Sequence, residues 1–561
     1  MEAEAISNGS GDAAPVAIVG AGPAGLALAN ELSWRGIRCI LIDRLTQPLD
    51  FPTSESIHAR TMEHFRRWGI AADVRNAGFP LDMPRSVSFV TRLRGYDLGR
   101  VERPSNREQQ RVSEAISPEG PIWCPKFLFE EVMRRRLGEA GTTEFLSGHE
   151  VTHFTQDEAG VDVSVRELAT GREFTLRSSF LAACDGASSS TRKALGIDFE
   201  GTFAEGRNLG IYLRSPALAD IMAARGGIMA DIINADFSAN ISAVDGKDLW
   251  RLIVFMRDGD PGALDPLTCV YKAVGSDIDV VILDARTWAG HTVVANCFRS
   301  GRVFLVGDAA HLLWPRGGFG MNTGVGDAVD LGWKLDATLR GWGGAELLSS
   351  YEMERRPVAI RNVTEAAGNY RAEAALPISP LLDEPGPQGD AERLRTSQAI
   401  LATRTREWNT IGLQLGYIYE GSPICWHAQE PTRETDGGSY VPTTRPGARA
   451  PHAWLSDHKS TLDHYGRGFC LVHRADVDVS TFSTAAAERN IPFSKLQLAG
   501  KDQEVLYEKA IVLVRPDGQV AWRSDELPPD PGAILDLARG SSGPSRDALD
   551  RRTTEPGKNV A

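Results

Sequence analysis

Val16-Ala17-Ile18-Val19-Gly20-Ala21-Gly22-Pro23-Ala24-Gly25 is the stretch that decides the fold. Four apolar residues read as a short buried strand. A helical pattern follows from Pro23 to Arg35, and a second apolar strand from Arg38 to Ile42. This order opens a doubly wound parallel sheet. The six residues from Gly20 to Gly25 fit G-x-G-x-x-G. Gly20 allows the tight turn, Gly22 lets backbone approach a pyrophosphate, and Gly25 lets the helix pack close on the strand. The helix start, with Ala24 in its first turn, offers free N–H groups and a partial positive charge to phosphates. Asp43 ends the second strand about 20 residues on, where an acid accepts hydrogen bonds from ribose hydroxyls. Arg44 beside it is placed to face the adenosine or the phosphates. The turn by itself does not separate FAD from NAD.

Outward from this turn, the chain divides by composition. Residues 1–14 are small, polar and acidic, which reads as a disordered tail rather than a signal peptide. Residues 15–201 and 299–375 read as one nucleotide-binding domain. Between them, 202–298 carries short strand-like runs separated by turn residues, read as an inserted, mostly antiparallel sheet for substrate. Residues 376–430 begin rich in Pro, Gly and Asp and read as a linker followed by a helix. Residues 431–540 read as a small α/β unit, and 541–561 as a disordered tail. The expected class is therefore α/β.

Bulk numbers exclude several functions. The chain has 61 Lys and Arg against 74 Asp and Glu, for a net charge of −13. That balance argues against nucleic acid as a partner. No apolar run is long enough to span a bilayer. The seven cysteines, Cys39, Cys124, Cys184, Cys269, Cys297, Cys425 and Cys470, are scattered and contain no C-x-x-C pair. They read as reduced thiols of a cytoplasmic enzyme, not as disulfides or metal ligands.

A second constellation runs from Gly301 to Leu335 as GRVFLVGDAAHLLWPRGGFGMNTGVGDAVDLGWKL. A strand ends at Gly307-Asp308, a Gly/Pro-rich loop follows, and Gly320-Met321-Asn322 opens a helix. A carboxylate at the strand end can hold a polyol hydroxyl. N–H groups at the helix start can hold the electron-rich edge of a flavin. A third stretch, Asp185-Gly186-Ala187-Ser188-Ser189-Ser190-Thr191-Arg192, follows the apolar run Phe180 to Cys184.

With these three stretches in this order, residues 15 to 370 resemble the group A flavoprotein monooxygenases, the para-hydroxybenzoate hydroxylase and phenol hydroxylase family. The resemblance implies FAD on a Rossmann-like domain. Asp308 would meet the ribityl chain, and Gly320, Met321 and Asn322 the isoalloxazine ring. Asp185 would lie near the pyrophosphate, where the stretch helps NADPH or NADH to bind. Arg192 is either part of that site or structural. Arg60 matches a position often near the flavin, with a solvated helix arginine as the alternative. Lys126 stands where the family often has Gln and remains a candidate for ribityl or phosphate oxygens. Trp314-Pro315 replaces a common proline pair, making both candidates for the pocket loop. The implied chemistry is NAD(P)H reduction of the flavin, capture of O₂ as a C4a-hydroperoxide, and oxygen insertion into an aromatic substrate in a dry pocket. Baeyer–Villiger insertion and a non-catalytic flavin-binding module are the alternatives.

Pro446 to Arg523 resembles the thioredoxin-like third domain of phenol hydroxylases and polyketide aromatic hydroxylases. With Cys470 alone in this region it should be redox-inert. The expected partners are a phenolic or polyketide-like small molecule and O₂, with a homodimer as the expected assembly. No catalytic base is assigned. Arg214, Asp231, Arg251 and Tyr212 are pocket candidates. His58 and His311, near the flavin segments, read as packed groups.

Overall fold

A computed structural model describes residues 14–48, 51, 53–257, 264–426, 437–456 and 458–541. Apart from Ala14 and Ser541, the tails expected at 1–14 and 541–561 lie outside the described residues. The chain forms two compact units. The first takes Met1–Val329, Arg356–Leu415 and Thr435–Tyr440; the second takes Asp330–Arg355, Gly416–Glu434 and Val441–Ala561.

In the first unit the buried strand Val16–Val19 lies between Cys39–Asp43 and Phe180–Ala183, all parallel. Val303–Leu305 and Thr143–Ser147 extend the sheet on its two sides. Strands covered on both faces need no polar alternation, which is why VAIV, CILI and FLAA are continuous apolar runs. The helix Pro23–Arg35 has Pro in its first turn and ends at Gly36 in the left-handed conformation.

A second sheet has seven strands in the order Val281–Ala289, Arg207–Arg214, Leu249–Met256, Ser238–Ala243, Met229–Ile233, Val87–Val90 and Asp97–Val101. Pairing is antiparallel except between Met229–Ile233 and Val87–Val90. Leu209, Ile211, Leu213, Leu252 and Val254 enter one apolar core. Alternation along each strand sends Asn208, Gly210 and Tyr212, and Arg251, Ile253 and Phe255, to the opposite face.

Three boundaries differ from the sequence expectation. The sheet expected within 202–298 also recruits Val87–Val90 and Asp97–Val101, because Val87, Phe89, Val90 and Leu98 are buried in the same core. The described part of 376–430 is not a spacer. Its Leu376, Leu382 and Ile400 are buried with the sheet, and Gly386 and Pro387, which suggested a linker, start the helix Pro387–Trp408. The domain expected at 299–375 is also divided, since Asp330–Arg355 belongs to the second unit.

The second unit has a four-stranded sheet ordered Phe493–Gln497, Phe469–His473, Ile511–Val514, Val520–Ser524. The first two strands are parallel and joined through the helix Ser480–Glu488; the last two form a hairpin followed by the helix Pro531–Ala538. This is the thioredoxin-like order of elements. Trp333 and Trp342 pack with Phe469, Leu471, Trp522 and Ile534 in its core.

That unit also buries a charge cluster. Lys334 Nζ donates to Asp330 and Glu354, each at 2.7 Å. Arg515 donates to Glu354 at 2.5 and 2.9 Å and to Asp517 at 2.6 Å. Burial alone would raise the Glu354 carboxyl, but Arg515 and Lys334 outweigh it and hold it low. Burial raises Asp330, opposed by Lys334 and reinforced by Glu354. Removing one partner of such a cluster leaves buried charge uncompensated, a cost of about 3–5 kcal/mol. Arg515→Met should therefore lower the urea unfolding free energy by about that amount. The double variant Arg515→Met/Glu354→Leu should recover part of it. Equal stability of the single variant and wild type would show that the cluster contributes nothing net.

Candidate active site

Three glycines of the phosphate turn meet three separate demands. Gly20 has φ +98°, and a Cβ there would lie 2.3 Å from Cys184 O. A Cβ on Gly25 would lie 1.9 Å from Gly20 O. A Cβ on Gly22 would meet no heavy atom within 4 Å. The protein itself thus requires the first and last glycines, while Gly22 borders open space at a helix N-terminus. Asp43 holds the turn through Oδ2, which accepts from Ala21 N at 2.5 Å, while Oδ1 accepts locally from Leu45 N at 2.7 Å. Arg134 donates to Ala21 O at 2.6 Å. Arg44 is exposed.

Asp185 Oδ2 accepts from Thr191 N at 3.1 Å and Thr191 Oγ1 at 3.0 Å, whereas its Oδ1 is buried without a hydrogen-bond partner. Arg192 donates to Ile197 O at 2.7 Å and lies 4.0 Å over the Phe199 ring. This is the structural arrangement. Arg60 is not a solvated helix arginine: it is buried and paired with Glu63 at 2.8 Å.

Asp308 is exposed, yet enclosing protein raises its carboxyl, opposed by attraction from His311 and Lys126. Accessibility inside surrounding protein marks a group that lines a cleft. Lys126 is 3.8 Å from Glu130. At Gly307, just before Asp308, helix and strand come close: a Cβ on Gly324 would sit 3.1 Å from Gly307 Cα.

The loop before the helix Phe319–Leu339 is held by Asn322. Its Nδ2 donates to Ser56 O at 2.9 Å and Gly318 O at 2.6 Å. Its Oδ1 accepts from His58 N at 2.9 Å and Thr61 Oγ1 at 2.7 Å. Its side chain is thus occupied by protein, leaving the backbone N–H groups of the first helical turn, at Gly320 and Met321, toward any ligand. His58 Nε2 is 3.0 Å from Gly317 O. Burial pushes His58 down to about 4, so it is neutral at pH 7 and donates there. His311 Nε2 is 2.7 Å from buried Asp327.

Trp314 and Pro315 part company. Pro315 is exposed. Trp314 is buried, stacked on Tyr370 at 3.7 Å and 8°, edge-on to Trp288 at 6.1 Å, and donates to Glu205 at 3.0 Å. Space for it comes from Gly290, where a Cβ would lie 2.2 Å from the indole. Arg316 lies 4.7 Å over Phe255. Trp288 and Phe255 flank Asn208 across the sheet, so the polar face of the seven-stranded sheet looks at this loop.

Of the four sheet candidates, Arg214 is exposed and 3.5 Å from Asp248. Asp231 is buried, 3.2 Å from Arg404 and accepting from Asn240 at 2.6 Å. Tyr212 is half-buried, 6.3 Å from Phe51. Arg251 is 2.8 Å from Glu55, a residue the sequence reading missed. Glu55 is buried, and burial raises its carboxyl against the pull of Arg251. Its nearness in sequence to His58 and Arg60 was the available signal.

Unfolded, His58 titrates near 6.5, about its unperturbed value; folded, it titrates near 4. Its folded-state pKa is depressed, so the stability from keeping it neutral is complete above about pH 6.5 and is lost as pH falls toward 4. Between pH 7.5 and 4.5 wild type should lose about 2–3 kcal/mol more unfolding free energy than His58→Gln. Urea titrations at both pH values check this. Parallel losses would mean that His58 titrates freely in the folded protein.

Comparison with known proteins fits this geometry. A family model described as an FAD binding domain matches residues 13–366, and one described as the C-terminal region of aromatic-ring hydroxylases matches 443–540. A putative polyketide hydroxylase of Streptomyces halstedii is 31% identical, with 92% of this chain and 94% of that protein covered. Phenol 2-monooxygenase of Pseudomonas sp. (strain EST1001) is 30% identical, covering 95% and 94%. Among solved structures, the rebeccamycin biosynthetic enzyme RebC with bound 7-carboxy-K252c superposes with a TM-score of 0.89 at 38% identity, covering 94% of this chain and 99% of that one. Aklavinone-11 hydroxylase with FAD and aklavinone gives 0.80 at 25% identity, covering 95% and 99%. The chain therefore belongs to the group A flavoprotein monooxygenases with an aromatic-ring-hydroxylase C-terminal domain, and it is an FAD-dependent, NAD(P)H-consuming aromatic hydroxylase.

Proposed function

We propose that this enzyme hydroxylates an extended, fused-ring aromatic rather than a single-ring phenol, using O₂ as the oxygen source. The carrying observation is the pair of half-buried rings Trp288 and Phe255, with buried Trp314 supporting Trp288 edge-on, where the sheet's polar face meets the Trp314–Gly318 loop. Flat apolar rings stack on such walls. The neighbours solved with 7-carboxy-K252c and with aklavinone are consistent with this substrate class.

FAD supplies the reduction by NAD(P)H and the activation of O₂. The chain's residues hold and shield it. Gly20 to Gly25 and the helix behind them would take the pyrophosphate, with Asp43 and Arg44 toward the adenosine end. Asp308 would take the ribityl hydroxyls, with Lys126 and Arg60 near it. Gly320 and Met321 would meet the ring edge through backbone N–H groups, and Asn322 would fix the loop. The partnerless Oδ1 of Asp185 is suited to a hydroxyl of the bound dinucleotide. Pro315 is the exposed loop residue toward substrate, and Trp314 its wall. Glu55, raised by burial and held by Arg251, would accept the proton of a substrate hydroxyl as the ring becomes electron-rich. Buried, partly raised thiols such as Cys39 and Cys124 suit a reducing cytoplasm.

Gly22→Val tests the pyrophosphate assignment. The apoprotein has room for the side chain, so its unfolding free energy should fall by no more than about 1 kcal/mol. FAD content, read from flavin absorbance, should drop at least tenfold, by roughly 1.4 kcal/mol of binding. Retained FAD would remove Gly22 from the site. The function itself is tested by NADH and NADPH consumption under ¹⁸O₂ with 2-hydroxyanthraquinone and with phenol. The fused-ring compound should stimulate consumption more and gain one ¹⁸O on an intact ring. Glu55→Gln should lower kcat by roughly 10²-fold and remove the acidic limb of the pH profile. Preference for phenol would overturn the substrate class, and a ring-expanded product would point to Baeyer–Villiger insertion.

A further inference from the structure

We infer that Asn208 determines substrate specificity by donating its side-chain amide to a quinone-type carbonyl oxygen of the fused-ring aromatic. This rests on the reading above that the sheet face receives such a ring system.

Register fixes the position. On the strand Arg207–Arg214, Asn208 is paired across with Trp288 on one side and Phe255 on the other. Trp288 meets Trp314 edge-on at 6.1 Å, and Phe255 lies 4.7 Å beneath the Arg316 guanidinium. Asn208 therefore sits on the floor directly opposite Trp314-Pro315-Arg316. The next residue inward on the same face is Gly210, over which Phe51 and Trp288 close, a Cβ there lying 3.3 Å from Phe51 and 3.5 Å from Trp288.

Asn208 is 1% exposed, and its Nδ2 has no hydrogen-bond partner. Other buried asparagines of this unit behave differently. Asn240, on the same face, donates to Asp231 at 2.6 Å. Asn234 donates to Thr91 O at 2.8 Å, and Asn106 to Trp123 O at 2.9 Å. A buried donor without an acceptor is costly, whereas leucine would fill nearly the same shape in an aromatic wall without that cost. The donor is accounted for when the acceptor arrives with the ligand.

The chemistry of the acceptor follows from the donor. A neutral amide N–H suits a neutral or delocalised oxygen. A carboxylate would call for a free guanidinium, and Arg251 on this face is already paired with Glu55 at 2.8 Å. A quinone carbonyl conjugated with the ring fits best. Such a bond also draws electron density toward that oxygen and fixes which ring edge faces the flavin.

The test uses FAD-loaded enzyme and two probes of equal ring size, 2-hydroxyanthraquinone and 2-hydroxyanthracene. Each is titrated while flavin absorbance is followed. Asn208→Leu should weaken the quinone about tenfold or more and change the hydroxyanthracene by less than about twofold. Equal weakening of both, or of neither, overturns the inference alone, since a packing role does not discriminate between them. Failure of wild type to bind either probe overturns the fused-ring reading and the inference with it. If Asn208→Leu does not retain FAD, Asn208→Ala gives the same comparison without added bulk.

Discussion

Everything near the chemistry depends on one carboxamide. Asn322 ties the flavin loop to residues 56–61 through one donor bond and both acceptor sites of its oxygen, and its other donor bond closes onto Gly318 O within the loop. Asn322 stands in the first turn of the helix Phe319–Leu339, and its partners lie in the short strand Ser56–Ile57, at His58 and in the helix Ala59–Trp68, so one side chain ties three elements together. Gly317 and Gly318 have φ of +85° and +70°, which places the loop in conformations that only close tethering keeps unique. His58 adds a neutral bond to Gly317 O. The same tether brings Glu55 into place, because Glu55 immediately precedes Ser56. A pocket built this way can be rigid without a covalent link.

The buried charges fall into two classes. Arg404 with Asp231, Glu373 and Glu407 joins the helix Pro387–Trp408 to the substrate sheet, and Arg316 shares Glu373. These groups are ion-paired with one another, and burial raises the Glu407 carboxyl against the pull of Arg404. Glu55 pairs with Arg251 at 2.8 Å, and burial outweighs the attraction so that the Glu55 carboxyl is raised as well. The distinction is local, since both classes lie on the same face of one sheet.

The sequence disclosed what is short-range. Gly20 and Gly25 answer steric demands within one turn, and the strand ending in Asp308 answers a second local pattern. What it did not disclose is long-range. The Asn322 partners are 261 to 266 residues away, except for Gly318. Asp231 read as a pocket candidate from its place in the inserted sheet, where alternation alone leaves its face open, and nothing in the sequence shows that Arg404 lies opposite it. The Pro- and Gly-rich stretch before residue 391 read as linker because the same residues cap helices, and burial of Leu382 and Ile400 is invisible in composition. Orphaned groups such as Asn208 Nδ2 are legible only in three dimensions, since an orphan is defined by its neighbours.

The second unit shows how far fold and chemistry can separate. Its element order is that of thioredoxin, whose chemistry requires a reactive thiolate and a second cysteine nearby. Here Cys470 is buried in the strand Phe469–His473, and burial pushes its thiol up to about 11. Cys425 is likewise buried and raised to about 11, with Arg515 lowering it only in part. Neither thiol ionises appreciably near pH 7, and no disulfide forms among the described residues. The interior that remains is spent on packing, with Trp333, Trp342 and Phe469 around a closed charge cluster. Among the described residues of this unit, no thiol stands in the accessible, activated setting that thioredoxin chemistry requires.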